Sequence, residues 1–335
     1  MFATKKIDLQ LFAWSEGTAG SPSVNPVNVT TQSSMSPTMK TFYDTTLLEN
    51  AREAMIFTQF GKKQPMKGKK IEWRKFNTFA KALTPLTEGV IPTGQTFGMT
   101  NIEGEITQHG DFTAVSDRLE LESYDDVIFG ATEEMGAAEG ETYDTLTRNI
   151  LVAGNSVLYC PNGDAEVTSR SAITNACILT PDVVNRAATW LKKNKAPKIN
   201  GSYVALIHPS VAYDLRNSKE WKEYHQYNDV APIFKGEIGE LHGVRFIETN
   251  EAKIWKDGDS AVYATLFLGK DAFGILDPEG EGMEMIIKSK GQIGGPLEQF
   301  STIGYKFCHG AKILYQERML RVESGSFYGS IDEAN

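Results

Sequence analysis

The period of the apolar positions changes several times along the chain. Residues 43–60 carry Leu47, Leu48, Ala51, Met55 and Ile56 at helical spacing. Residues 69–83 and 99–121 then alternate. Ile71 and Trp73 interleave with Glu72 and Arg74, and on the return Val115, Leu119 and Leu121 interleave with polar neighbours. Between them lies a Thr-, Gly- and Pro-rich stretch from Thr84 to Gly98. Together these segments predict a two-stranded excursion whose fifteen-residue strands would reach about 50 Å. A hairpin of that kind does not hold itself together in water, so it needs a surface to lie on.

Residues 123–153 read as one long helix, with Tyr124, Ile128, Ala131, Met135, Ala138, Leu146 and Ile150 recurring at three- and four-residue steps apart from a gap around Tyr143. Ser123 suits the N-cap, and Gly154-Asn155 supplies a stop. Gly130, Gly136 and Gly140 each cost roughly 1 kcal/mol against Ala, so packing rather than propensity must hold this helix. In the second half, Thr180-Pro181-Asp182 opens a helix whose face is Val183, Val184, Ala187, Ala188 and Leu191. A strand at 203–208 and a short helix at 210–217 follow. Further strands are expected at 244–248, 261–268, 273–276 and 283–288, and two longer ones at 299–308 and 311–322. The pattern is α+β, with no βαβ repeat.

Composition adds limits rather than a function. With 41% hydrophobic and 23% charged residues, the chain is ordinary for a globular protein, and its length favours two domains or one with long extensions. The exception is residues 15–38, where seventeen of 24 are Ser, Thr, Gly, Pro or Asn; this reads as an extended arm ordered only against a partner. Ahead of it, Ile7 to Ala13 form a small apolar cluster, read as either a frayed terminus or a docking segment. Asp8 and Gln10 interrupt this cluster, and no small-residue cleavage site follows, so no secretory signal is expected. The net charge of −9 argues against nonspecific binding to nucleic acid or anionic membrane. The apolar run Ala261 to Leu268 is far short of the roughly 20 residues a bilayer needs. Cys160, Cys177 and Cys308 show neither a disulfide framework nor metal spacing.

The search for chemistry finds no active site. His109, His208, His225, His242 and His309 are scattered, with no HExxH or His-x-His pair. Gly61 to Lys70 fails as a phosphate loop because Lys70 stands where Ser or Thr should hold magnesium. Gly280-Glu281-Gly282 lacks the third glycine of a dinucleotide fingerprint. Asp257-Gly258-Asp259 has no Glu at the twelfth position of a calcium loop. Cys308 and His309 are adjacent on a predicted strand and point to opposite faces, so they are no nucleophile–base pair. No cofactor and no metal are expected.

The charge map is less ordinary. Residues 61–81 hold eight Lys or Arg against Glu72 alone, net +7, and residues 103–144 hold thirteen acids against Arg118, net −12. Complementary patches on repeated copies would steer and register subunits. The candidates for contact between copies are Lys62, Lys69, Lys70 and Arg74 on the basic side and Glu133 and Glu134 on the acidic side. Trp73, Phe76, Phe79 and Phe97 are the candidate anchors, together with Glu88 at the tip.

The order of these parts resembles the tailed-phage major capsid proteins, whose fold is shared with herpesvirus capsids and encapsulins. Ile7 to Ala13 is similar to the start of structural proteins of phages of low-GC Gram-positive hosts. Leu86-Thr87-Glu88-Gly89 is similar to the Glu-Gly element of capsid excursion loops. Tyr203 to Ser210 and Gly236 to Val244 resemble elements of the capsid's compact lobe. Gly304 to Lys306 and Gly310 to Leu314 resemble the closing strands of the N4-type phage capsid subfamily. The resemblance implies an arm over 1–60, an excursion loop over 61–121, a peripheral lobe of 122–178 plus 299–335 and an axial lobe of 179–298. It implies a self-assembling shell of hexamers and pentamers around double-stranded DNA, made in a bacterial cytoplasm. Scaffolding, portal and decoration proteins are the further partners it suggests, with only weak contact to the packaged DNA. Lys81 would serve a crosslink between subunits, but no Asn partner or catalytic Glu aligns, so none is expected. An encapsulin-like compartment and a hydrolytic enzyme with unrecognised carboxylates are the alternative readings.

Overall fold

The structure is a computed structural model and describes residues 55–335 except 67, 69, 78, 92, 123–126, 228–236, 258–259, 279–281, 290, 293–296, 298 and 330–331. The expected arm, the Ile7 to Ala13 cluster and most of the expected 43–60 helix lie outside the described residues. So do Lys69 and the predicted cap Ser123.

The chain forms β1 (Lys62–Met66), β2 (Lys70–Phe76), β3 (Met99–Glu105), β4 (Thr107–Ser116), α1 (Asp117–Glu122) and the long α2 (Val127–Val152). Next come β5 (Val157–Tyr159), α3 (Pro181–Lys193), β6 (Tyr203–Ile207), α4 (Pro209–Asn217) and α5 (Lys219–Tyr227). Five strands follow: β7 (Glu237–Leu241), β8 (Val244–Glu248), β9 (Ile254–Asp257), β10 (Ser260–Leu268) and β11 (Phe273–Pro278). β12 (Glu284–Lys288), β13 (Phe300–His309), β14 (Ala311–Ile313) and β15 (Met319–Ser324) close the chain. The expected 311–322 strand is therefore broken: Gln316–Arg318 form a 3-10 turn between β14 and β15, which join different sheets.

Two compact units divide the described residues, the smaller made of Gly110–Met135 and Met285–Lys306. In the larger unit a seven-stranded sheet runs in the order β5-β15-β10-β6-β8-β7, with β9 on β10. β6 and β8 pair in parallel across a connection that contains α4 and α5, and β5 pairs in parallel with β15; the sheet's other pairings are antiparallel. β6 is buried on both faces, which is why it reads as an unbroken apolar run. Tyr203, Ala205 and Ile207 join a core with Val183, Val184, Ala187, Ala188 and Leu191 of α3, the face the sequence predicts. Val204 and Leu206 join a second core with Leu151, Val152, Phe273, Ile275, Phe57 and Phe60.

The excursion is shorter than expected. β2 and β3 pair from Lys70↔Glu105 to Phe76↔Met99, seven residues each, about 23 Å at strand rise. Its flanks go elsewhere: β1 lies parallel to β11 in the sheet β1-β11-β14, and β4 joins β12 and β13. Residues 77–98 form no strand where described.

The smaller unit is built on the sheet β12-β13-β4. Val115, Ile128, Met285 and Ile303 make its core, with Ala131, Met135 and Ile287 against it. β4 and β13 approach closely at two glycines. A Cβ on Gly110 would stand 2.6 Å from the Tyr305 carbonyl oxygen, and one on Gly304 would stand 2.9 Å from that of Asp111. Any side chain there would push the strands apart.

Candidate intersubunit surface

The excursion is fastened to its own chain at its base. Trp73 lies over backbone that carries no side chain: a Cβ on Gly104 would stand 2.7 Å from its ring, and one on Gly274 would stand 2.9 Å from it. Lys75 reaches Glu317 (3.4 Å) and the face of the Tyr315 ring (4.6 Å), and Lys70 is ion-paired with Glu105 across the ribbon. The surface that the ribbon needs is thus supplied in part by β11 and the residues after β14. Trp73, expected as an anchor for a second copy, is half-buried against its own chain, where small Gly274 makes room for the indole.

Beyond Phe76 the ribbon gives way to an open tip. Gln95 holds it, its side-chain amide donating to the Ala80 carbonyl and accepting from the Ala80 amide, both at 2.8 Å. The Asn77 amide donates to the Gly98 carbonyl at 2.9 Å. Thr87 to Val90 form a tight turn, the Val90 amide donating to the Thr87 carbonyl, and Gly89 at φ +80° takes the left-handed position that favours glycine. Phe76, Phe79 and Phe97 gather on one side, with ring centroids 4.9 Å (Phe76 to Phe97) and 6.0 Å (Phe79 to Phe97) apart. All three stay more than half exposed, Phe97 at 62%. Leu83 (83%), Leu86, Val90 and Ile91 (93%), also in the tip, are exposed as well. Leu83, Val90 and Ile91 sit among Thr, Gly and Pro with no periodic pattern, so the sequence does not mark them as contact residues, and nothing in it singles out Gln95.

Lys62, Lys70, Arg74 and Glu88 are exposed, as are Glu133 and Glu134 on α2. The acidic run of residues 103–144 is not one solvated surface, because Glu139 and Asp144 are buried. Asp144 does not meet solvent. Its carboxylate accepts the amides of Ile56 (3.0 Å), Phe57 (3.3 Å) and Thr58 (3.3 Å), closing the start of the 3-10 turn Phe57–Phe60. Burial pushes it up to about 6, against the opposing pull of those three amides. The basic patch also has a partner on its own ribbon, since β3 brings Glu105 opposite Lys70.

The titratable groups that the sequence search considered sit apart in the described residues. Those residues contain no group of three or more His, Cys, Asp or Glu able to hold a metal. His309 is buried, hydrogen-bonded to the Thr147 hydroxyl at 3.0 Å and set edge-on to Tyr143. Burial, and to a smaller extent His109, holds it down at about 4, so it is a neutral interior ring. Cys160, Cys177 and Cys308 are buried free thiols, and burial pushes Cys160 well above the ordinary thiol range. No described helix is long and apolar enough to cross a membrane.

The sequence matches a family described as "Phage capsid protein" over residues 106–275, about half of the chain. No curated protein matches it. Among solved structures it is similar to the capsid of Ralstonia phage GP4, at 14% identity over 100% of both chains with a TM-score of 0.62. It is also similar to the cyanophage Pam1 capsid, at 12% identity over 94% of this chain and 99% of that one, TM-score 0.63. The capsid of cyanophage P-SCSP1u gives 15% identity over 82% and 89%, TM-score 0.62. At these identities the likeness is one of fold.

Proposed function

The chain belongs to the phage capsid protein family, and from that premise we propose how its parts build a shell. It is a major capsid protein, a structural component of the virion. In our reading the excursion tip is the contact that one subunit offers to the next. The observation that carries this is the tip itself: Phe76, Phe79, Phe97, Leu83 and Ile91 are exposed together at the end of a ribbon anchored at its base by Trp73. An apolar patch of that kind marks an interaction surface. Lys62, Lys70, Arg74 and Glu88 with Glu133 and Glu134 would then set register and rate more than strength, since exposed ion pairs contribute only about 0–1 kcal/mol each.

Within this reading, residues 61–121 are the excursion loop, 122–178 with 299–335 the peripheral lobe and 179–298 the axial lobe, in the manner of the N4-type subfamily. The subunits would form hexamers and pentamers in the host cytoplasm and enclose double-stranded DNA with weak, sequence-independent contacts. Scaffolding, portal and decoration proteins would be further partners. No catalytic role is assigned, and the family of phage capsid proteins argues against the encapsulin-like compartment. Electron microscopy of the purified protein tests the proposal. Shells, rings or sheets are expected; a monomer that never assembles and carries hydrolytic activity would overturn it.

A further inference from the structure

The larger unit gathers cations that lie far apart in the sequence. Residues 192–198 contain four lysines and no acid: Lys192 and Lys193 end α3, and Lys195 and Lys198 follow it, all four exposed. A helix C-terminus favours cations, so the first two alone need no further explanation. Two other loops join this one through backbone bonds. The Lys270 amide donates to the Pro197 carbonyl at 2.9 Å, and the Gly269 amide donates to the Arg318 carbonyl at 2.8 Å. The three loops meet so closely that a Cβ on Gly269 would stand 3.1 Å from the Pro197 carbonyl oxygen and 3.3 Å from that of Arg318. From there the cations continue to the base of the ribbon. Arg318 donates to the Lys270 carbonyl at 3.2 Å and lies 3.8 Å from the centroid of the Tyr315 ring, and the Lys75 ammonium lies 4.6 Å from the same centroid.

Seven cations thus share one strip with two acids, Asp271 and Glu317, on a chain whose net charge is −9. Lys75 is paired within the strip, with Glu317 at 3.4 Å. Lys192, Lys193, Lys195, Lys198 and Lys270 make no ion pair among the described residues. None of the exposed large apolar side chains of the described residues lies in these segments. Contacts between proteins are poor in lysine and centre on aromatic and apolar side chains, as the excursion tip does. A lysine strip without an apolar centre fits a polyanion instead, which binds by releasing its condensed counter-ions and needs no shaped pocket.

We propose that Lys195, Lys198, Lys270, Arg318 and Lys75 form a binding strip for the phosphate backbone of double-stranded DNA. The proposal rests on the reading of this chain as a shell subunit around such DNA, and it adds where the chain touches it. Lysines on exposed loops reach phosphates and carry no sequence information, so the contact is independent of sequence. The Tyr315 ring holds Lys75 and Arg318 side by side, which fixes one end of the strip, while the lysines after α3 follow the backbone at the other.

The test is binding of a short mixed-sequence DNA duplex to the full-length, unassembled subunit, read by fluorescence anisotropy between about 20 and 200 mM salt. Five phosphate contacts give a slope of log K against log salt of roughly −4 to −5. The triple variant Lys195→Gln, Lys198→Gln, Lys270→Gln should lower that slope to roughly −2 and weaken binding at low salt by more than tenfold. Its three positions are exposed, so its melting should stay that of wild type. A control, Lys219→Gln, Lys222→Gln, Lys288→Gln, changes the net charge equally at exposed positions elsewhere and should bind like wild type. Absence of wild-type binding at the lowest salt overturns the proposal, and so do equal slopes for wild type and the strip variant. A control that loses as much affinity overturns it too, by reducing the effect to net charge. A strip variant that binds DNA normally but no longer assembles would assign the strip to an acidic surface of a second copy. Electron microscopy of the same samples keeps the two readings apart: shells formed by a strip variant with wild-type DNA affinity overturn the strip alone and leave the capsid reading intact.

Discussion

Replacing Phe97 by Ser separates the role of the tip from that of the fold. In the free subunit the ring is 62% exposed and, among the described residues, its aromatic partners are Phe76 and Phe79, so losing it should cost about 1 kcal/mol. If the exposed part is covered when subunits meet, roughly 100 Å² of apolar surface goes with it, about 2.5 kcal/mol per contact at 25 cal/mol per Å². Each 1.4 kcal/mol is a factor of ten, so the critical concentration for assembly should rise roughly 50-fold if every subunit makes one such contact. Light scattering and sedimentation against protein concentration read that shift, and melting of the free subunit serves as control. Assembly at the wild-type critical concentration would refute the reasoning. A free subunit that melts far below wild type would refute it differently, by making Phe97 a residue of the fold.

Arg74→Glu, on an exposed position of β2, should slow assembly at low salt and leave the rate nearly unchanged at high salt, with Glu133→Lys and Glu134→Lys restoring part of it; an equal rate at both salts refutes electrostatic docking. Arg321→Leu should destabilise the free subunit by about 2–3 kcal/mol, because Arg321 bonds the carbonyls of Val152 and Gly154 at the end of α2 and the fully buried Glu323 at 2.8 Å, which Arg170 continues to hold at 2.7 and 2.8 Å; an unchanged denaturant midpoint contradicts this. His309, held at about 4 against an unfolded value near 6.5, stabilises fully above pH 6.5 and loses up to about 3 kcal/mol as pH falls toward 4. Asp144, raised to about 6, acts in the opposite direction, so the measurement is the difference between wild type and His309→Asn from pH 7 to 4; parallel curves would sink the assignment.

The compact elements of the second half were legible because their burial is one-sided or complete. α3 shows its face as Val183, Val184, Ala187, Ala188 and Leu191, and β6 and β10 show two-sided burial as unbroken apolar runs. β7 was not, because Glu237 and Glu240 look like surface charges; in the fold both reach the guanidinium of Arg245, at 2.6 and 3.2 Å. Nor was the break between β14 and β15, since Tyr315 to Arg318 carry no Gly or Pro to mark a turn. The excursion was legible as a ribbon but not in its length. The expected return strand 99–121 runs on through β4, which joins another sheet, and Leu119 and Leu121, read as its end, lie in the helix α1; no local pattern tells a strand which sheet it will join.

The long helix shows the limit most plainly. Apolar periodicity places its face on Ile128, Ala131, Met135, Ala138, Leu146 and Ile150; Ile128 is buried in a core against which Ala131 and Met135 pack, but from Ala131 onward these positions are only half-buried. The deepest side chains of the helix include Thr132, Glu139, Asp144, Thr147 and Arg148. Thr132 and Thr147 donate back to carbonyls one turn earlier, Thr147 also meets His309, and Arg148 is bonded to Glu251. Asp144 receives three amides of the chain entering at Ile56. A helix that other segments fasten to needs hydrogen-bonding groups on its inner face, and each such group reads in the sequence as solvated. The acids of 103–144 therefore divide between interior and surface, whereas Phe76, Phe79 and Phe97 at the tip and Glu133 and Glu134 on α2, which no interior partner claims, stay exposed and open to contact.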